Sequence, residues 1–128
     1  MPSLPGRFAK GLERGPVIRW VAVIVLALYV VDGDTIRLDG ERIRIVGLDA
    51  PETRLAKCES ERSRGYAAKA ALLKMLKGQE LDIKRQGIDR YGRTLAVVRV
   101  HGRNVAHEMI RAGHARAYWG GRRKGWCD

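Results

Sequence analysis

The chain has 128 residues, enough for one domain of ordinary size and too few for two. Hydrophobic residues make up 45% of it, which excludes a disordered basic tail protein. Lysine and arginine number 25 against 14 aspartates and glutamates, a formal net charge of +11. Such an excess favours a polyanionic partner, either nucleic acid or an anionic membrane surface.

The chain begins with a basic leader, residues 1–19, which is rich in glycine and proline and predicted to be flexible. Residues 20–31 follow as an apolar run without a charge. No small-residue cleavage site follows this run, and it is shorter than the roughly 20 residues that span a bilayer. Two interpretations stay open. One is an export or anchor segment, which predicts an exported protein with membrane association; the other is an ordinary buried strand that starts near Ala27.

The chain has two cysteines, Cys58 and Cys127. They lack CxxC spacing and nearby histidines, which argues against a structural zinc site. They are either two free thiols or one disulfide that ties the C-terminal tail to the body. A disulfide would suit an oxidising compartment.

The clearest local signal is a β-hairpin. Residues Thr35 to Leu38 and Glu41 to Val46 alternate apolar and polar side chains on either side of Asp39-Gly40. An Asp-Gly pair between alternating segments is typical of a two-residue hairpin turn.

The remaining elements follow in a simple order. Residues 63–77 have helical spacing and end at Gly78, and a second helix is predicted from its N-cap Asn104 to Gly113. Strands are predicted around Leu81 to Ile83 and over residues 95–100, whereas residues 114–119 are ambiguous. The prediction is an α+β fold, mainly β: a five-stranded OB-fold barrel with two packed helices over residues 27–119, followed by a basic tail, residues 120–128.

Three carboxylates are placed where strand ends could gather them. Asp34 follows the first strand, and Asp49 and Glu52 follow the return strand of the hairpin. If the strand ends converge, the three charges repel one another unless a cation or proton neutralises them. Oxygen-only ligands favour a hard cation such as calcium or magnesium.

Two arginines complete the candidate site. Arg44 lies on the return strand, and Arg93 closes a turn that begins at Asp89. Their planar guanidinium groups can grip phosphate oxygens in pairs. A strict hairpin places Arg44 opposite Thr35, so Asp34 would point away from it unless the chain bulges near Gly33.

These segments resemble the staphylococcal nuclease-like (thermonuclease) family from about Leu28 to Tyr118. The resemblance is carried by Val31-Asp32-Gly33-Asp34-Thr35, by Arg44 with Asp49-Ala50-Pro51-Glu52, and by Asp89-Arg90-Tyr91-Gly92-Arg93. It implies an OB barrel with packed helices. It also implies a calcium ion held by the carboxylates of Asp34 and Asp49 and by the backbone carbonyl of Ala50, where the family commonly has threonine.

The resemblance further implies hydrolysis of phosphodiester bonds in DNA or RNA by a monomer, with single strands preferred and 3′-phosphate ends. Glu52 would act as general base or position the attacking water, and Arg44 and Arg93 would neutralise phosphate charge. The nucleotide contacts would be Arg90, Tyr91 and Tyr118. The long final helix of larger family members is expected to be absent or reduced to a stub here, and a bond between Cys58 and Cys127 could replace its packing. The alternatives are a non-catalytic OB-fold module that binds nucleic acid or protein, and a membrane-surface protein.

Overall fold

A computed structural model describes residues 27–127, so the predictions for the leader and for residues 20–26 lie outside the described residues. These described residues form two helices and eight strands. The helices are α1 (Glu59–Leu76) and α2 (Val105–Arg111). The strands are β1 (Leu28–Asp32), β2 (Thr35–Leu38), β3 (Glu41–Ile45), β4 (Gly47–Asp49), β5 (Leu81–Ile88), β6 (Thr94–Val100), β7 (Arg103–Asn104) and β8 (Arg116–Tyr118).

The five longest strands form one sheet in the order β1-β2-β3-β6-β5. All neighbours are antiparallel except β3 and β6, which are parallel. Strand β7 adds to β6, and β4 pairs with β8 as a separate ribbon. Within residues 27–127 the end strands β1 and β5 are not paired with each other, so the sheet does not close. The predicted α+β, OB-like fold is confirmed as the partly open form of that barrel.

The hairpin forms as predicted. Thr35 pairs with Arg44 and Ile36 with Ile43, and both isoleucines are fully buried. The turn residues Asp39 and Gly40 have φ angles of 52° and 85°. Positive φ at both central positions is what a type I′ turn requires, and its twist matches that of the two strands.

Helix α1 begins at Glu59, four residues before the predicted start at Ser63. Cys58 caps it, because its sulfur accepts a hydrogen bond from the backbone N–H of Glu61 at 3.4 Å. The first turn is polar and has no apolar spacing to reveal it. By contrast, α2 has its predicted cap, since the Asn104 side chain accepts from the N–H of His107 at 3.2 Å.

The core lies between the sheet and the two helices. Its large, fully buried members come from both helices and from strands β2, β3, β4 and β6: Ile36, Ile43, Ile45, Leu48, Leu72, Leu76, Val98, Val105 and Met109. Burying one such side chain stabilises the fold by roughly 1.5–3 kcal/mol. This core fixes the strand ends that carry the candidate site.

The C-terminal tail is bonded to α1. Cys58 and Cys127 form a disulfide, with their Cα atoms 6.0 Å apart, so the disulfide is the form present of the two alternatives. The guanidinium groups of Arg64 and Arg116 lie 5.4 and 3.6 Å from the centre of the Trp126 ring. The tail follows β8, which occupies the stretch that was ambiguous in the sequence.

Among the described residues, neither helix combines the length and apolarity that crossing a bilayer requires.

Candidate active site

The predicted site residues line two adjoining cavities. The larger, about 700 Å³, is lined by Asp34, Arg44, Glu52, Arg90, Tyr91, Arg93 and Tyr118 among others. The smaller, about 390 Å³, contains Asp49 and Ala50. Glu52 and Arg123 line both cavities. The fold therefore brings together every residue that the sequence predicted for the site.

Asp34 is aimed at Arg44 by an irregularity in β1. The register of β1 against β2 shifts between Val30 and Asp32, directly before Gly33. The Asp34 Oδ2 atom lies 3.8 Å from Arg44 Nη2 and also accepts the backbone N–H of Ala50 at 3.0 Å. A bulge near Gly33 was the condition that the hairpin register imposed, and it is met.

Gly33 lets this turn approach helix α1. A Cβ atom at Gly33 would come within 2.7 Å of the Ala50 Cβ and 2.8 Å of the Ala68 Cβ. Any side chain here would push the turn away from α1, and Asp34 with it.

Glu52 is clamped to α1 by two contacts. The buried Glu61 carboxylate accepts the backbone N–H groups of Glu52 at 3.1 Å and Lys57 at 2.9 Å. Gly65 lies against the Glu52 backbone, where an added Cβ would come within 2.7 Å of the Glu52 carbonyl carbon. The position of Glu52 is thus set by α1 rather than by its own loop.

Two carboxyl groups of the larger cavity, those of Asp32 and Glu52, have raised pKa values. Burial, together with the charge of Asp34, raises the pKa of Asp32 to about 8. Burial and the charge of Asp34 also raise the pKa of Glu52. Asp32 was not predicted as a site residue, although its place two residues before Asp34 was a signal that could have revealed it.

The two predicted arginines are held in different ways. Arg44 is buried and donates from Nη1 to the carbonyl of Ile45 at 2.7 Å. Arg93 donates from Nε to Asp89 Oδ2 at 2.8 Å. Burial opposes the charge on Asp89, but hydrogen bonds from the backbone N–H groups of Arg93 and Tyr91 lower its pKa. Both guanidinium groups are therefore fixed at the cavity wall.

The predicted nucleotide contacts lie at the outer part of the cavity. The Tyr91 ring is 59% exposed, with the guanidinium groups of Arg90 and Arg93 at 5.1 and 5.4 Å from its centre. Tyr118 donates from its hydroxyl to the carbonyl of Gly121 at 2.5 Å. An exposed aromatic ring beside fixed cations is suited to stacking a base near a phosphate.

Sequence reasoning missed two tail residues that contact the carboxylates of Asp49 and Glu52. Arg123 Nη1 lies 2.8 Å from Asp49 Oδ1 and 3.5 Å from Glu52 Oε2. Trp126 donates from Nε1 to Asp49 Oδ2 at 3.2 Å. Although burial opposes it, the charge of Asp49 raises the pKa of Arg123. The only sequence signals for this placement were the basic tail and Cys127.

The donor atoms of the three predicted ligands are of the type that a hard divalent cation prefers. Asp34 and Asp49 are both 4% exposed, and the atoms they and Ala50 offer are all oxygens. Burial comes first and the charge of Asp34 second in raising the pKa values of Asp32 and Glu52, and a cation would offset that charge. Asp34, Asp49 and the Ala50 carbonyl remain the candidate ligands.

Comparisons with known proteins identify the family of this chain. The family model described as staphylococcal nuclease homologue matches residues 42–125, which include Arg44, Asp49, Glu52 and Arg93.

Three relatives illustrate the likeness. The chain is 37% identical to a thermonuclease of Staphylococcus intermedius over 98 residues, 72% of this chain and 58% of that protein. It is 35% identical to a probable staphylococcal-like nuclease of Oryza sativa subsp. japonica, over 67% of this chain and 24% of that protein. It is 33% identical to an uncharacterized endonuclease of Haemophilus influenzae, over 68% of this chain and 48% of that protein.

The chain thus spans between about a quarter and three fifths of the length of these relatives. The matched residues begin in β3, after Asp34, and extend into the C-terminal tail. They cover more than half of the chain, and the chain belongs to the staphylococcal nuclease homologue family.

Proposed function

We propose that this protein is a calcium-dependent nuclease that hydrolyses phosphodiester bonds of DNA and/or RNA, prefers single strands and leaves 3′-phosphate ends. One observation carries the proposal: buried Asp34 lies 3.8 Å from Arg44 in the wall of a cavity that Glu52 and Arg93 also line. Acidic ligands beside fixed guanidinium groups are what cleavage of a phosphodiester needs.

The carboxylates of Asp34 and Asp49 and the carbonyl of Ala50 would hold the calcium ion. When bound, calcium supplies positive charge that polarises the phosphate and orients a water molecule. The hydrogen bond from the Ala50 N–H to Asp34 keeps two of these groups together.

Glu52 is the general base of the proposal. Its raised pKa makes it a better proton acceptor from water than an ordinary surface carboxylate. Arg44 and Arg93 would bind the phosphate oxygens and offset the charge that develops on them in the transition state. Arg90, Tyr91 and Tyr118 would hold the nucleotide, and an unpaired strand would present its backbone to them most readily.

The disulfide supports an exported protein, because such bonds persist in oxidising compartments. Action as a monomer and membrane association through the N-terminal apolar segment remain predictions.

Cleavage of a single-stranded oligonucleotide with calcium, and then with excess EDTA, tests the proposal. We expect cleavage with calcium and none with EDTA, and 3′-phosphate ends on the products. Glu52→Gln should lower kcat by roughly 10²- to 10⁴-fold, because the neutral amide cannot accept the proton. The matched control is Glu80→Gln, an exposed carboxylate outside both cavities, which should leave kcat unchanged.

Binding of the oligonucleotide without cleavage in calcium would instead support the alternative, a non-catalytic OB-fold module. Cleavage that survives EDTA would contradict calcium dependence.

A further inference from the structure

A second pair of arginines lies in the wall of the larger cavity. Arg37 on β2 and Arg42 on β3 are direct cross-strand partners, and both are exposed. Both line the cavity that holds Arg44 and Arg93. Like charges directly opposite each other destabilise an antiparallel pair of strands, so their placement calls for a reason.

The described residues do not supply a counter-ion for this pair. Within residues 27–127 no carboxylate lies within ion-pair distance of Arg37 or Arg42. The carboxylate nearest in sequence, Glu41, is bonded to Arg85 by two hydrogen bonds of 2.9 and 2.6 Å. Two uncompensated guanidinium groups facing one cavity form a site for an anion.

The pair is also close to Arg44, where the reacting phosphate is proposed to bind. Arg42 and Arg44 are two residues apart on β3, so they share a face and lie about 6.8 Å apart along the strand. The backbone of one nucleotide can bridge that distance. A strand whose reacting phosphate is bound at Arg44 can therefore place the neighbouring phosphate at Arg37 and Arg42.

We propose that Arg37 and Arg42 form a second phosphate-binding subsite, which takes the neighbouring phosphate of a single-stranded polynucleotide. This inference rests on the proposed function, since it takes the reacting phosphate to lie at Arg44. It makes the protein prefer a chain of several nucleotides over a substrate with a single phosphodiester.

Arg37 provides the cleaner test of the two. Arg42 also donates from Nη2 to the carbonyl of Tyr91 at 2.5 Å, so its replacement could disturb the Tyr91 turn. Arg37 makes no side-chain hydrogen bond within the described part of the chain, so Arg37→Gln removes a charge and leaves the protein contacts in place.

The experiment measures binding by fluorescence anisotropy with calcium present, in a Glu52→Gln background so that the probe is not cut. The probes are labelled thymidylates of ten nucleotides and of two, the latter with a single phosphate. We expect Arg37→Gln to weaken binding of the long probe roughly five- to tenfold and leave the short one unchanged. The slope of log K against log salt should fall by about 0.7 for the lost phosphate contact.

Arg103→Gln is the matched control, an exposed cation on β7 outside the larger cavity. The subsite is refuted if Arg103→Gln weakens binding as much as Arg37→Gln, if Arg37→Gln has no effect, or if both probes lose affinity equally. Because binding is measured without turnover, a protein that binds the long probe through Arg37 but never cleaves would refute only the proposed function.

Discussion

At the scale of single residues, the site depends on close approaches that side chains would block. Gly33 and Gly65 each lie where an added Cβ would collide with the loop that carries Ala50 and Glu52. The two glycines allow α1 to pack closely against the loop that carries Ala50 and Glu52. This packing fixes the loop, although the loop has no secondary structure of its own.

Gly65→Ala tests this at one position. Alanine favours a helix by roughly 0.5–1 kcal/mol over glycine, but here its Cβ meets the Glu52 backbone. We expect a net loss of about 1–3 kcal/mol in the free energy of unfolding, measured with urea, and reduced nuclease activity because Glu52 moves.

Ser63→Ala, an exposed position on the same helix, is the control and should change stability little. A Gly65→Ala protein as stable and active as the wild type would show that α1 does not position Glu52.

The residues that the sequence identified and those that it missed differ in how far apart they are in the chain. Asp34, Arg44 and Glu52 lie in or next to one hairpin, whose register follows from local alternation. Arg123 and Trp126 reach Asp49 across more than seventy residues, through a disulfide that the spacing of two cysteines could not establish.

At the scale of elements, exposed polar stretches were the hardest to predict. Strand β5 extends to Ile88, although only Leu81 and Ile83 alternate with polar neighbours. Its last five residues are exposed, so no alternation marks them as a strand. They are held by pairing with β6 instead, and by an ion pair that joins β5 to the hairpin.

That ion pair gives a pH prediction. Glu41 on β3 accepts hydrogen bonds from Arg85 on β5 and from Thr94 on β6, and these bonds lower its pKa to about 2. A lowered pKa in the folded state stabilises the fold above the ordinary carboxylate value of 4.5. This stabilisation is lost as the pH falls toward about 2.

Glu41→Gln should therefore lower the melting temperature at pH 7, with the difference from wild type shrinking as the pH falls from about 4.5 toward 2. Calorimetry over this range measures it. Asp82→Asn, an exposed residue on β5, is the control. A difference that stays constant with pH would mean that the Glu41 charge does not contribute to stability.

At the scale of the whole molecule, the charged residues behind the net charge of +11 are unevenly distributed. Acidic residues gather at the two adjoining cavities, and arginines line the walls of the larger one. The tail that looked like surplus basic charge places Arg123 against Asp49 and Glu52. The disulfide holds the tail in this position, so both the stability of the fold and the geometry of the site depend on it.

Reduction of that disulfide should destabilise the protein strongly. Cys58 and Cys127 are separated by 69 residues, and closing a loop of that length stabilises a fold by about 4 kcal/mol in the chain-entropy model. Urea unfolding with and without dithiothreitol measures the difference. The Cys58→Ser/Cys127→Ser variant should match the reduced protein and should not respond to dithiothreitol; equal stability of the oxidised and reduced forms would count against the role of the bond.

The disulfide also makes a covalent ring of the chain from Cys58 to Cys127. Arg44 and Glu52 lie on the arm outside this ring, whereas Arg93 and Arg123 lie within it. A single peptide-bond cut inside the ring, for example beside the exposed Arg90, opens the ring without releasing a fragment. Both sets of site residues would stay on one covalent molecule after such a cut, whereas the same cut would divide a chain without this bond into two pieces.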